Sequence, residues 1–129
     1  MSATNRIQAL RAALEERILV LDGAMGTAIQ ACNLTADDFG GPSLEGCNEH
    51  LVLTRPDVIE KIHRDYLAAG ADIVETDTFG GTRIVLAEYD LQDKVHAINF
   101  AAAQLARKAA DAASTPLRRL RARCARPPD

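Results

Sequence analysis

Residues 18–27 read ILVLDGAMGT and residues 72–82 read DIVETDTFGGT. Each is a short aliphatic run that passes into polar residues and then glycine. A buried parallel strand has this signature when it delivers functional groups at its carboxyl end. In both stretches an acid or hydroxyl follows directly on the last apolar residue, where α/β folds gather ligands. A helical pattern separates them, so the expected order is strand, helix, strand, helix.

Upstream, residues 3–16 predict a helix with Ile7, Leu10 and Leu14 on one face. Residues 18–21 are the first expected strand. Residues 31–50 hold Asp37, Asp38, Gly40, Gly41, Pro42 and Gly46 and predict a long irregular connection. Compact domains keep connections of that length for function or mobility. The next helix is well punctuated: Thr54 as N-cap, Pro56 in the first turn, Asp57 three residues after the cap and Gly70 at the C-terminus. Its expected core face is Val58, Ile59, Ile62, Tyr66 and Leu67. The second strand is Ile73–Glu75, followed by a short helix over 83–89. A last helix over 92–113 carries Val95, Ile98, Ala102, Leu105 and Ala109 in register.

The chain has 129 residues, enough for one small domain. Hydrophobic residues make up 47% and charged residues 26%, a globular balance. Trp is absent and aromatics are 4%, so aliphatic side chains and alanine must build the core. The net charge of −3 hides an asymmetry. Residues 1–115 carry ten Lys and Arg against seventeen Asp and Glu, whereas 116–129, PLRRLRARCARPPD, carry five Arg and one Asp. The acidic body offers no nucleic-acid footprint. The longest strongly apolar run, 18–21, is far short of a membrane span. With no apolar leader and three cysteines, the expectation is a reduced, cytoplasmic protein.

Asp22 is the first candidate for chemistry. A carboxylate after a buried strand accepts hydrogen bonds from an ammonium group, and Gly23 lets the backbone approach a ligand closely. Gly26 and Thr27 open a short helix whose N–H groups favour a carboxylate. An amino acid carries both groups. The alternative is that Asp22 caps a turn. In the second loop Glu75, Thr76, Asp77, Thr78 and Phe79 alternate at a strand end, and the alternative there is capping of the following helix by Thr78 or Asp77. No G-x-G-x-x-G fingerprint occurs. Cys47, Glu49 and His50 cluster in one loop, but a zinc site needs further ligands, and neither C-x-x-C nor H-E-x-x-H is present. Cys32 reads as a half-buried side chain, Cys124 as an exposed thiol, and His63 and His96 as helix-surface residues.

DGAMGT, then GCNEHLVLTRPDVIEKIHRDYLAAGADIVETDTFG, then INFAAAQLARKAA, in this order and spacing, closely resemble the start of a known domain. It is the homocysteine-binding domain of the cobalamin-dependent methionine synthases, within the zinc-dependent homocysteine S-methyltransferase family. The resemblance covers about residues 6–113. It implies a (β/α)8 TIM barrel and transfer of a methyl group to the homocysteine thiol, giving methionine. It also implies a zinc ion on three cysteines and, in these members, methylcobalamin as donor, served by cobalamin and folate domains elsewhere. By resemblance, Asp22 and Gly23 hold the amino-acid end of homocysteine and Met25 lines the pocket. Thr76 and Phe79 close it from the second strand, with Glu75 and Thr78 as weaker candidates.

A (β/α)8 barrel needs ~250 residues. The expectation is therefore a partial barrel: an N-terminal helix plus the first two βα units over 1–115, then a disordered, non-homologous tail over 116–129. The family's zinc cysteines lie in later strands, including a Gly-Gly-Cys-Cys motif that is not in this sequence, and Cys32, Cys47 and Cys124 match none of them. The change of character near residue 118 resembles a coding sequence read out of frame, so a frameshift or truncated gene is expected. The expected function is that of a methyltransferase-domain fragment, inactive alone. The alternative is a non-catalytic partial-barrel interaction module or a gene relic.

Overall fold

In the computed structural model the described residues are 3–114, together with the backbone of Arg123–Ala125. Seven α-helices account for most of them. These are α1 (Ala3–Glu16), α2 (Met25–Ala31), α3 (Ala36–Phe39), α4 (Leu51–Thr54), α5 (Pro56–Ala69), α6 (Arg83–Leu86) and α7 (Val95–Ala113). Among the described residues, β structure is confined to β1 (Ile73–Glu75), β2 (Arg123–Ala125) and one parallel bridge, Leu21 with Ile73. β2 runs parallel to β1, pairing Arg123 with Ile73 and Ala125 with Glu75. β1 therefore lies between the 20–22 segment and β2. Parallel neighbours need long crossovers; α2 to α5 make the first, α6 and α7 the second.

α5 shows how the local sequence sets the packing. Pro56 takes the first helical position, where its missing N–H costs nothing, and Gly70 ends the helix at φ 113°. Arg55, not Thr54, occupies the N-cap, because Thr54 closes α4. Val58, Ile59, Ile62 and Leu67 are buried as the periodicity predicts, and Tyr66 packs against the same cluster. His63 is buried too, at 0% exposure, which corrects its assignment to the helix surface. It stands four residues after Ile59 and four before Leu67, so the apolar face carries it inward.

α7 meets α5 and β1 through small side chains. Ala102, Ala106, Ala109 and Ala110 are all fully buried, and so is Ile98. Alanine at these turns lets the helix lie close, and Val74 of β1 packs against Ala106, Ala109 and Ala110. Burial of an aliphatic side chain such as Ile59, Leu86 or Ile98 stabilises the fold by about 1.5–3 kcal/mol. Lys108 on α7 also reaches Glu60 on α5 at 2.7 Å.

The helix expected over 3–16 is present as α1, and one expectation from the N-terminal region is corrected. Residues 18–21 do not form a regular strand: beyond the bridge, Asp72 N donates to Val20 O at 2.8 Å and Asp22 N to Ile73 O at 3.0 Å. A parallel strand is stable when both faces are covered. Here Ile18 is 89% exposed, and Val20 and Leu21 are about half exposed. α1 likewise buries only Ala13, leaving Ile7 and Leu14 exposed. The region is held by polar contacts instead. Asp72, 1% exposed, accepts both arms of the Arg17 guanidinium at 2.7 and 2.6 Å and Val20 N at 3.0 Å. The 31–50 connection contains α3 and two 3-10 turns, Pro42–Leu44 and Asn48–His50. The expectation for 116–129 lies outside the described residues, apart from the β2 backbone.

Candidate functional site

Asp22 continues a ladder that the backbone leaves. After Asp22 N has bonded to Ile73 O, the next donor along β1 is Glu75 N. It is met at 2.9 Å by the side-chain Oδ1 of Asp22. The main chain is then free to turn away through Gly23 and Ala24. Ala24 adopts the left-handed conformation, φ 49° and ψ 36°, and leads straight into α2 without a side-chain cap. Left-handed backbone at a non-glycine residue stores strain of order 1–3 kcal/mol and clusters at functional turns.

The Asp22 side chain is only 4% exposed. Burial pushes its carboxyl up to about 6, against the Glu75 N–H that lowers it and with the Glu75 charge adding to it. Behind it, His63 Nδ1 lies 4.0 Å from Oδ2. Neither ring nitrogen of His63 has a hydrogen-bond partner, and burial pushes the imidazole down.

The opposite wall comes from the end of β1 and from the loop before α4. The Thr76 and Thr78 hydroxyls share a hydrogen bond of 2.7 Å. Glu49 Oε1 accepts Gly80 N at 2.8 Å, tying the two loops together. Gly80 suits this close approach: a Cβ would stand 2.9 Å from both Glu49 Oε1 and Val85 Cγ1 and would make them shift. Asp77 is 4% exposed, and burial, followed by the charge of Glu49, pushes its carboxyl up to about 8. It is a neutral acid at pH 7. The helix that follows is capped by Thr82, whose hydroxyl accepts Val85 N, so the capping role weighed for Thr78 and Asp77 is overturned.

These walls enclose a cleft of about 330 Å3 lined by Asp22, Gly23, Ala24, Met25, Gly26, Asn48, Glu49, Glu75, Thr76, Asp77 and Phe79. That volume lies within the range of small-molecule sites. All five residues singled out from the sequence, Asp22, Gly23, Met25, Thr76 and Phe79, line it. Phe79 stands there with its ring fully exposed. Glu75 also lines it, while Thr78 lies buried and reaches the site through Thr76. Asn48 and Glu49 were missed as cleft residues, although both belong to the GCNEH motif that carries the resemblance. The lining has four carboxyl groups and no Lys, Arg or His.

The thiols and imidazoles among the described residues do not fit a zinc site. Cys47 is 1% exposed within the apolar cluster, and burial pushes its thiol up. His50 Nδ1 is engaged with Phe39 O at 2.7 Å. Cys32 is exposed rather than half-buried, its thiol on Ala28 O at 3.4 Å. Among the described residues, no three His, Cys, Asp or Glu side chains converge on a point a metal could take. Among the described residues, no helix is long and apolar enough to cross a membrane.

Comparison with known proteins agrees with this architecture. The family model for homocysteine S-methyltransferase matches residues 19–125, a span that includes β2. The chain belongs to the homocysteine S-methyltransferase family. Within it, the chain is 51% identical over 106 residues to methionine synthase of Mycobacterium tuberculosis (strain ATCC 25618 / H37Rv), and 52% identical over 103 residues to methionine synthase of Mycobacterium leprae (strain TN). Those matches cover 82% and 80% of this chain but only 9% and 8% of the relatives. Among solved structures, the oxidised form of the homocysteine methyltransferase MmuM from Escherichia coli superposes with a TM-score of 0.65 at 31% identity. The match covers 81% of this chain and 34% of that one. The chain thus corresponds to part of a homocysteine S-methyltransferase domain, as the resemblance implied.

Proposed function

We propose that this chain forms the first βα units of a (β/α)8 homocysteine S-methyltransferase barrel and that its cleft holds the amino-acid end of homocysteine. The single observation that carries the reading is the acidic character of the lining: four carboxyl groups, Asp77 among them held protonated by burial, and no base. One of them, Asp22, is buried, held by Glu75 N–H, and lacks a cation. An ammonium group supplies that cation and restores the carboxylate. The substrate carboxylate then lies toward Gly23–Gly26 and the Asn48 amide, where the first-turn N–H groups of α2 have no intrahelical acceptor. Methyl transfer to the thiol belongs to the whole domain. The zinc and methylcobalamin of the parent family are assigned to no residue of this chain, which recognises substrate and does not catalyse alone.

Calorimetric titration of the 129-residue chain with L-homocysteine and with 4-mercaptobutyrate, which lacks the amino group, tests this. Binding of the first at least tenfold tighter than the second is expected, since a hydrogen bond to a charged group is worth about 1.5–3 kcal/mol. Equal affinities sink the reading.

A second reading, a partner-binding module, draws on the exposure of Ile18, Val20 and Leu21 beside β1. Exposed apolar edges template association. Light scattering discriminates: a monomer at micromolar concentration argues against it.

A further inference from the structure

His63 is a buried polar group behind the site with no task so far. It sits on α5, fully inside the protein, with neither ring nitrogen hydrogen-bonded. A buried polar side chain without partners is costly, and native structures keep few of them. Its Nδ1 faces Asp22 Oδ2 at 4.0 Å, while Asp22 Oδ1 is already taken by Glu75 N. The imidazole stands behind the carboxylate, and the cleft opens in front of it. A shift of about 1 Å brings N and O to hydrogen-bond distance.

We propose that His63 is a positioning residue for Asp22: whenever that carboxyl is ionised, with or without a ligand in the cleft, the Nδ1–H of His63 is the donor that holds its Oδ2. This rests on the amino-acid reading of the cleft. No proton changes hands. Burial keeps the imidazole neutral, and a neutral ring has one N–H to give. Glu75 is the other charged group among the described residues that acts on this pair, and it disfavours the Asp22 charge. A donor from the rear offsets that repulsion and fixes the carboxylate plane toward the ligand. The arrangement is ordered by contact with the ligand-bearing group rather than by contact with the ligand, so His63 never touches substrate.

The test reads the Asp22 carboxyl by carbon-13 NMR in the ligand-free 129-residue chain, as wild type, His63→Leu and His63→Asn. The Leu variant is expected to raise the Asp22 midpoint by about one pH unit, as loss of a hydrogen bond to the charged form does. Asn places an amide nitrogen near the Nδ1 position and is expected to keep the midpoint within a few tenths of wild type. A purely structural role would disturb packing in both variants and leave the midpoint of Asp22 unmoved. Equal midpoints in wild type and His63→Leu overturn the proposal. Nitrogen-15 imidazole shifts of the wild type decide it without any variant: an Nδ1–H tautomer is expected, and an Nε2–H tautomer overturns it. Because both readouts are ligand-free, a failure of homocysteine to bind sinks the reading of the cleft and leaves the role of His63 to be settled by the midpoint. Where homocysteine does bind, His63→Leu weakens it roughly tenfold at pH 5, where a one-unit rise of the midpoint lowers the ionised fraction of Asp22 almost in full, and His63→Asn restores it.

Discussion

Asp22 Oδ1 takes the hydrogen bond from Glu75 N that a backbone carbonyl would accept in a continuing parallel ladder, at 2.9 Å. One carboxylate thus ends the pairing of two segments at the edge of a cleft. Asp22→Asn keeps an acceptor for Glu75 N and removes the charge. The chain is expected to fold with near wild-type stability while L-homocysteine binding weakens about ten- to a hundredfold, the worth of a charge-assisted hydrogen bond. The same group sets the pH dependence. Only ionised Asp22 pairs with ammonium, and its carboxyl titrates at about 6. Affinity is expected to be level above that pH and to fall about tenfold per unit below it. Calorimetry from pH 5 to 8 reads both effects, and a flat profile counts against Asp22 as the ammonium partner.

Asp72→Ala tests how the 20–22 segment is held. Asp72 accepts Val20 N and both arms of Arg17 from a buried position, whereas the aliphatic residues at 18, 20 and 21 are largely exposed. With little apolar burial to hold it, the segment depends on those bonds. Amide exchange at Val20 and Asp22 is expected to accelerate at least about tenfold, while Ile98 in the α7 core keeps its protection. Unchanged exchange at Val20 would show the ion pair to be idle.

Two glycines of the site are expected to respond in opposite ways. A Cβ at Gly23 meets no atom within 4 Å, and the residue lines the cleft. Gly23→Val should leave the fold intact and lower homocysteine affinity, because the new methyls occupy ligand space. A Cβ at Gly80 meets Glu49 Oε1 and Val85 Cγ1 at 2.9 Å. Gly80→Ala should cost about 1–3 kcal/mol of stability, the usual penalty of overpacking. Urea unfolding and ligand titration on both variants separate the cases; a stable Gly80→Ala would mean that the two loops yield more easily than their packing implies.

How far the sequence could be read follows from where each signal resides. Ile73–Glu75 and the Gly70 cap were legible because glycine, aliphatic run and acid are adjacent in the chain. Asp22, Gly23, Met25, Thr76 and Phe79 were placed in one site because the two strand-end loops carry a recognisable motif order. Asn48 and Glu49 were not, since Glu49 reaches the site through Gly80, thirty-one residues away. His63 was misjudged because a polar residue on a periodic helix reads as surface unless its exact place on the apolar face is weighed. The 18–21 run is aliphatic enough for a strand, but a strand needs covered faces, and coverage is a property of the whole fold rather than of four residues.

Asp77 gives the stability of the chain a pH dependence of its own. Its carboxyl titrates near 8 in the folded protein, because of burial and then the Glu49 charge, against 3.8 for an ordinary aspartate. A folded-state value raised this way contributes stability that is complete below the unfolded value and is lost as pH rises through the folded one. Between about pH 6.5 and 8 the neighbours are quiet. Asp22 has finished titrating at about 6, and His63, held neutral by burial, opposes folding only where its unfolded form takes a proton, below about 6.5. Cys47 and Tyr89, both raised by burial, act above the window. Stability should therefore fall by up to about 1.4 kcal/mol per pH unit from 6.5 to 8 and then level off. Asp77→Asn keeps the shape and discards the titration, so its profile should be flat over that window and its stability at pH 8.5 higher than wild type. Urea midpoints measured at half-unit intervals check both curves. Parallel profiles for wild type and variant would mean that Asp77 is ionised in the folded protein, and that the proton expected on this carboxyl is not there.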